Sequence, residues 1–257
     1  EDYLSEVAEI KSSQCFNKQT NRRIKAVVPV HTFGHPVDLD TLKNVCEKFH
    51  LELIEDASES LGSFYRGKHT GNWGSVSALS FNGNKIITTG GGGAILTDNE
   101  NLAKHAKHIT TTAKVPHLWE YIHDQIGYNF RLPNINAALG CAQLEQLPAI
   151  LKSKRELAHR FQKVFKEVKG VRFHVESKDT HCNYWLNVLL MDKIFASERD
   201  SLLTITNDNG IMTRPAWKLL PKLPMFNNSP KMNLSVAESL ERRLINLPSS
   251  PNIRIQD

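Results

Sequence analysis

The chain has 257 residues, of which 40% are hydrophobic, so it is long enough to bury one large core or two modest ones. Lysine and arginine (32) exceed aspartate and glutamate (27) only slightly, which favours phosphorylated small molecules over nucleic acid as partners. There is no apolar run long enough to span a membrane, no signal-peptide pattern and no CxxC pair among the four cysteines. These features predict a cytoplasmic protein that binds neither membrane nor metal.

The first half of the chain alternates strand and helix patterns. Apolar, β-branched runs at 24–30 and 51–54 predict buried parallel strands, and the apolar spacing within 40–49 predicts a helix between them, capped by Asp38 or Asp40. Two more strands are predicted at 76–81 and 93–97. The alternation indicates an α/β fold with a mainly parallel sheet sandwiched by helices.

The second half has a different pattern. Residues 115–124 are rich in Pro, Trp and His without a period, which predicts a long loop. A long helix is predicted from Asn134 to Val168, with a kink at Pro148. Strand patterns near 171–175 and 184–190 and helical patterns near 197–209 and 236–243 predict a smaller α+β domain. We therefore expect a large domain at 1–145 and a small C-terminal domain at 146–257.

Lys85 is the first candidate for chemistry. It follows a predicted buried strand and precedes four consecutive glycines, Gly90–Gly93, which let backbone approach a ligand closely. An amine held among apolar groups loses its proton more easily and becomes a nucleophile toward carbonyls. Taken alone, a surface lysine beside a flexible turn is an equally good interpretation.

Asp56 is the second candidate, at the end of the preceding predicted strand. A carboxylate there would keep a pyridinium nitrogen protonated and make its ring an electron sink. For an isolated aspartate, capping of the following turn is the simpler interpretation. The combination of Asp56 and Lys85 is more informative than either residue.

Four segments together resemble the DegT/DnrJ-type sugar aminotransferases, which use pyridoxal 5'-phosphate (PLP) and share the aspartate-aminotransferase architecture, fold type I. The segments are GHPVD at 34–38, EDASESLG at 55–62, SFNGNKIITTGGGG at 80–93 and GYNFRLPN at 127–134. The resemblance implies a PLP-binding large domain that is incomplete at its N-terminus, because the family's Gly-Thr-Ala phosphate-binding segment is not found. It further implies a native enzyme of roughly 370 residues, of which this part alone would bind PLP poorly.

The resemblance also implies roles for individual residues around the cofactor. Lys85 corresponds to the lysine that bonds covalently to PLP, and Ser80 to a residue that contacts its phosphate. Asp56 corresponds to the acidic partner of the pyridine nitrogen. Glu59 stands near the ring, where the family usually has glutamine, and Gly91 stands where the family usually has an acidic residue.

Further implied residues concern the substrate and a second subunit. Asn129 and Arg131 match positions that reach the active site of the neighbouring subunit, so the resemblance implies a homodimer in which Asn129 contacts the phosphate. Segments 108–119 and 214–217 resemble enzymes that aminate UDP- or GDP-linked 4-keto-6-deoxy sugars. The predicted substrate-binding residues are Arg131, His117, Arg214 and Trp217, although a packed tryptophan and an ordinary loop histidine are the simpler interpretations of Trp217 and His117 taken alone.

The sequence therefore predicts a PLP-dependent aminotransferase for a nucleotide-linked keto-sugar, with glutamate as amino donor and Lys85 as the base. The predicted pathway is surface polysaccharide or nonulosonic acid biosynthesis. Two alternatives stay open: a catalytically inactive binding or regulatory protein of this fold, and a PLP-dependent sugar dehydratase, against which Lys85 argues because those enzymes carry histidine at this position. A dinucleotide-binding enzyme is disfavoured, because the glycine run precedes a strand rather than opening a helix.

Overall fold

The secondary structure is described for residues 1–252 of a computed structural model. Its α-helices are α1 (Asp2–Val7), α2 (Leu39–Phe49), α3 (Glu100–Thr110), α4 (Asn134–Phe165), α5 (Arg199–Asp208) and α6 (Ser235–Glu241). Short 3₁₀ helices lie at Thr32–Gly34, Lys193–Glu198, Leu220–Lys222 and Pro224–Phe226. None of the helices in this part of the chain combines the length and apolarity needed to cross a membrane.

The strands are mostly short. In chain order they are β1 (Ala8–Lys11), β2 (Gln14–Asn17), β3 (Arg23–Ile24), β4 (Ala26–Val27), β5 (Glu52–Asp56), β6 (Phe64–Tyr65), β7 (Lys68–His69), β8 (Val76–Ser80), β9 (Gly93–Leu96), β10 (Lys114–Val115), β11 (Ile122–His123), β12 (Val171–Phe173), β13 (Thr180–His181), β14 (Asn187–Met191), β15 (Arg214–Pro215) and β16 (Leu244–Leu247).

Two compact units divide the chain. One contains Glu1–Ala149 and Lys178–Asn183, and the other contains Ile150–Ser177 and Tyr184–Asp257. The segment 178–183 belongs to the first unit because β13 pairs with β6. The domain limits 1–145 and 146–257 remain a prediction.

The central sheet of the first unit has the strand order β4-β5-β8-β9. β4, β5 and β8 are parallel, whereas β9 runs antiparallel to β8. The α/β class and the parallel pairing are therefore as predicted. The strand predicted at 24–30 is interrupted, because β3 pairs with β2 in an N-terminal sheet, whereas β4 pairs with β5 and Val30 forms an isolated parallel bridge with Asp56.

Helix α2 follows from its sequence. The Asp38 side chain accepts a hydrogen bond from the Thr41 backbone N–H at 3.1 Å and so caps the helix, whereas Asp40 lies inside it. His50, with φ of 52°, ends it in the left-handed conformation. Four side chains of α2 are buried in the core with Leu53 of β5: Leu39, Val45, Cys46 and Phe49. Full burial of a leucine, valine or phenylalanine side chain stabilises the fold by roughly 1.5–3 kcal/mol.

Two predictions for the middle of the chain need correction. The segment 115–124 is not entirely a loop, because β10 and β11 form a small antiparallel ladder, with Lys114 opposite His123. Helix α4 continues through Pro148 but ends at Phe165, short of the predicted end at Val168.

The second unit contains an antiparallel sheet of order β12-β14-β16-β15 with α5 and α6. Its core includes Val188, Leu189 and Met191 of β14 and Ile245 of β16. This is the α+β organisation predicted for the C-terminal part.

Candidate active site

The predicted cofactor residues follow neighbouring parallel strands. β5 ends at Asp56 and β8 ends at Ser80, and the register places Asp56 opposite Ala78, so both residues lie at the carboxyl edge of the sheet. Lys85 lies in the turn after β8, where its backbone N–H donates to the Asn82 carbonyl at 3.0 Å. The two residues that follow it, Ile86 and Ile87, are buried and anchor this turn.

The Lys85 side chain is nearly removed from water, with 13% of its surface exposed. Burial lowers the pKa of its amine, while the carboxylates of Glu59 and Asp56 oppose this effect. Its Nζ lies 3.9 Å from Glu59 Oε1. A lysine in this environment exists as the neutral, nucleophilic amine more often than a lysine in water.

Asp56 is held firmly while keeping one oxygen for a ligand. Its backbone N–H donates to the Pro29 carbonyl at 2.9 Å. Ser58 donates to Oδ1 through its backbone N–H at 3.1 Å and its hydroxyl at 2.5 Å. Among residues 1–252, the hydrogen bonds to this carboxylate go to Oδ1 and none goes to Oδ2.

Glu59 is fixed at both its side chain and its main chain. Its Oε2 accepts the backbone N–H of Phe33 at 2.7 Å, and Asn183 Nδ2 donates to the Glu59 carbonyl at 2.9 Å. Burial raises the pKa of the Glu59 carboxyl, and the Phe33 N–H and the Lys85 ammonium oppose this shift. Phe33 has a φ of 61°, a strained value for a residue with a side chain, so the surrounding structure holds this N–H in place.

Glu55 supports the residue next to it, Asp56. Its buried carboxylate accepts His31 Nε2–H at 3.0 Å and the backbone N–H groups of Gly71, Trp73 and Gly74 at 2.8, 2.6 and 2.8 Å. Burial alone would raise the pKa of Glu55, but these hydrogen bonds together lower it. The end of β5 is thereby tied to the loop after β7.

A cavity of about 1120 Å³ opens beside this sheet edge. It is lined by Asp56, Ser58, Ser80, the glycines 91–93 and Arg131, among others, but not by Lys85 or Glu59. The Arg131 guanidinium donates to Asn129 Oδ1 at 3.0 Å and to the Thr111 carbonyl at 2.9 Å. Asn129 and Arg131 are thus brought together, and their reach into a neighbouring subunit remains a prediction.

The remaining predicted substrate-binding residues, His117, Arg214 and Trp217, have contacts within their own loop or unit. His117 contacts its own loop, where its Nδ1 accepts the Glu120 N–H at 3.0 Å and its ring packs edge-on against Trp119. Arg214 and Trp217 belong to the second unit. Arg214 donates to Asn207 Oδ1 at 2.7 Å, and Trp217, which is 57% exposed, stacks on the buried Trp185 with an interplanar angle of 7°.

Sequence reasoning missed several residues that build the site. Ser58 follows Asp56 by two positions, a spacing at which aspartate commonly accepts hydrogen bonds from the turn, so a local signal existed. Phe33 immediately precedes the recognised GHPVD segment, but its backbone role has no sequence signature. Asn183 lies 124 residues from Glu59 and carries no signal at all.

Comparison with known proteins identifies the family of this chain. The profile described as the DegT/DnrJ/EryC1/StrS aminotransferase family matches residues 4–257. The chain belongs to this family. Pyridoxal phosphate is the cofactor of the DegT/DnrJ/EryC1/StrS aminotransferases.

Among family members, the GDP-perosamine synthase of Escherichia coli O157:H7 is 38% identical over 98% of this chain and 67% of that protein. The GDP-perosamine synthase of Vibrio cholerae is 35% identical over 92% of this chain and 64% of that protein. The solved structure of Helicobacter pylori PseC, an aminotransferase involved in the biosynthesis of pseudoaminic acid, aligns with a TM-score of 0.87 at 29% identity, covering 93% of this chain and 65% of that one. The chain therefore spans about two thirds of the length of these relatives, and fold type I is established for it.

The residues present fit the family's cofactor. Lys85 offers a buried amine for its carbonyl carbon, and Asp56 Oδ2 offers an acceptor for its ring nitrogen. Ser80 and the glycines 91–93 line a cavity with room for its phosphate.

Proposed function

We propose that the chain forms part of an aminotransferase that transfers an amino group to a nucleotide-linked keto-sugar. The observation that carries the proposal is the buried amine of Lys85 beside the carboxylates of Asp56 and Glu59 at the carboxyl edge of the parallel sheet. Family membership supports it. The inactive binding-protein alternative rests on the absence of the family's Gly-Thr-Ala phosphate-binding segment from this sequence.

Four residues would hold the cofactor. Lys85 would attach it covalently through Nζ, and Asp56 Oδ2 would accept a hydrogen bond from its ring nitrogen. Ser80 would donate its hydroxyl to the phosphate, and Glu59 would lie close to the ring. When bound, PLP supplies a reactive carbonyl carbon and an electron-accepting ring.

The protein's own chemistry centres on Lys85. Burial favours its neutral amine, so Nζ can accept a proton from the amino donor and later return one to the amino-sugar product. Asp56 is an anion fixed by Ser58, and it stabilises positive charge at the sheet edge in both halves of the reaction.

The relatives support a substrate class. Two are named GDP-perosamine synthase, and another, from Helicobacter pylori, is named UDP-4-amino-4,6-dideoxy-N-acetyl-beta-L-altrosamine transaminase, at 29% identity. We infer a UDP- or GDP-linked 4-keto-6-deoxy sugar as acceptor and glutamate as donor, in a cytoplasmic route to surface polysaccharide or nonulosonic acids. Arg131, His117, Arg214 and Trp217 are the proposed substrate-binding residues.

We also infer a homodimer in which Asn129 and Arg131 contribute to the neighbouring active site. Support comes from a run of large apolar side chains that project from the segment containing both residues. This surface, called the loop patch, comprises Leu118, Trp119, Tyr121, Ile126 and Phe130, all at least 70% exposed.

The test is covalent labelling. Because this part of the enzyme alone is expected to bind PLP poorly, the 257-residue chain is mixed with a large excess of PLP, reduced with borohydride and digested, and the labelled peptide is identified by mass spectrometry. We expect the label on Lys85 and its loss in Lys85→Ala, with an absorbance band that disappears on reduction. Lys152→Ala, which removes an exposed lysine of α4, is the matched control and should keep the label.

The position of the label decides whether Lys85 is the residue that binds PLP covalently. If Lys85 is labelled, transamination is assayed next. The protein is given glutamate together with a nucleotide-linked keto-sugar, and the 2-oxoglutarate formed is measured. Label spread over exposed lysines such as Lys152, equal in Lys85→Ala, would overturn the proposal and favour a binding protein of the same fold.

A further inference from the structure

Glu59 and Lys85 are two titratable groups of opposite charge in one nearly dry space. Their side chains are 12% and 13% exposed, and Oε1 lies 3.9 Å from Nζ. That distance is longer than a hydrogen bond, so direct proton exchange requires Nζ to move roughly 1 Å closer to Oε1. The Asp56 carboxylate acts electrostatically on both residues.

Glu59 is built to present one oxygen to Lys85. Its Oε2 is occupied by the Phe33 N–H, while Asn183 holds the carbonyls of Glu59 and Leu61, both at 2.9 Å. The carboxylate therefore keeps its orientation while Oε1 stays directed at the amine.

We propose that Glu59 takes up the proton that Lys85 Nζ releases and later returns it, so that the two residues act as one proton-sharing pair. In the forward step an N–H bond of the ammonium breaks and an O–H bond forms on Oε1, with no change in the total charge of the pair. The inference rests on the proposed function, because it gives Lys85 a local store for the proton that must leave before the amine can attack a carbonyl.

The surroundings favour such an exchange. Burial lowers the pKa of Lys85 and raises the pKa of Glu59, which brings the proton affinities of the two groups closer together than in water. Each member acts electrostatically on the other, so loss of one is expected to change the proton affinity of the other. A glutamine in place of Glu59 would still accept the Phe33 N–H but hold no proton.

The first experiment measures Lys85 directly, without cofactor. The protein is treated briefly with acetic anhydride over a pH series, and acetylation of the Lys85 peptide is quantified by mass spectrometry. In Glu59→Gln, loss of the negative charge should lower the midpoint of Lys85 reactivity by about one pH unit. Glu52→Gln removes the same charge from an exposed position at the far end of β5 and should leave the midpoint unchanged.

The second experiment measures Glu59. Infrared difference spectra over pH report the protonated carboxyl, and the Glu59 band is the one absent from Glu59→Gln. In Lys85→Ala its midpoint should move upward, because the ammonium no longer stabilises the carboxylate. This measurement tests the Glu59–Lys85 pair even if the amine of Lys85 reacts with acetic anhydride too slowly to titrate.

The outcomes separate this inference from the proposed function. An unchanged Lys85 midpoint in Glu59→Gln, or an unchanged Glu59 band in Lys85→Ala, would overturn the pair. PLP labelling of Lys85 alongside that result would leave the cofactor role intact. Shifted midpoints without PLP labelling would instead retain the pair and refute the cofactor role.

Discussion

At the scale of single residues, Glu55 is the most strongly constrained charge in the site. Replacement by alanine removes the acceptor from His31 and three buried backbone N–H groups. We expect Glu55→Ala to lower the free energy of unfolding by at least about 3 kcal/mol. Urea denaturation measures this free energy. Glu52 is an exposed glutamate on the same strand, and Glu52→Ala should change the free energy of unfolding by less than about 0.5 kcal/mol.

The contribution of Glu55 also depends on pH. Its hydrogen bonds lower the pKa in the folded state, so its stabilisation is complete above the unfolded pKa of about 4.3 and is lost as pH falls through the lower folded value. The difference between wild type and Glu55→Ala should therefore shrink on acidification below about pH 4. A difference that stays constant down to strongly acidic pH would show that the carboxylate charge is not what stabilises this loop.

At the scale of elements, the turn at Gly34 decides the position of Glu59. Gly34 has a φ of 91°, and a Cβ there would meet Asn183 Oδ1 at 1.9 Å, whereas Gly67 has a φ of 77° with nothing within 4 Å. Both Gly→Ala changes incur about 1–2 kcal/mol of backbone strain. Gly34→Ala should lower the free energy of unfolding by roughly 1–3 kcal/mol more than Gly67→Ala, because the new Cβ displaces the Asn183 side chain that donates to the Glu59 carbonyl.

Urea unfolding of the two glycine variants tests this comparison. Gly34→Ala should also weaken PLP labelling of Lys85, since Asn183 holds the Glu59 main chain, and Gly67→Ala should not. Equal losses of stability in both variants would mean that the Asn183 contact contributes nothing beyond glycine's backbone freedom.

The elements also show which features the sequence predicts. The cap of α2 by Asp38 and the strands carrying Asp56 and Ser80 depend on residues a few positions apart, so local patterns revealed them. The pairing of β13 with β6 and the bonds from Asn183 to Glu59 depend on contacts across more than one hundred residues, for which one sequence holds no signal. The split of the strand expected at 24–30 has a local origin, because β3 pairs with the neighbouring unpredicted strand β2.

At the scale of the whole molecule, the proposed homodimer depends on the loop patch. Ile126 is 83% exposed within it, and Ile194 in the second unit is 80% exposed outside it. An aspartate at an apolar interface must lose its water without gaining a partner, so Ile126→Asp should weaken self-association at least about tenfold, equivalent to about 1.4 kcal/mol. Sedimentation velocity over a concentration series measures this, with Ile194→Asp as the matched control. If Ile126→Asp and wild type sediment alike at every concentration, the loop patch is not the dimer interface, and the proposed reach of Asn129 and Arg131 into a second active site fails with it.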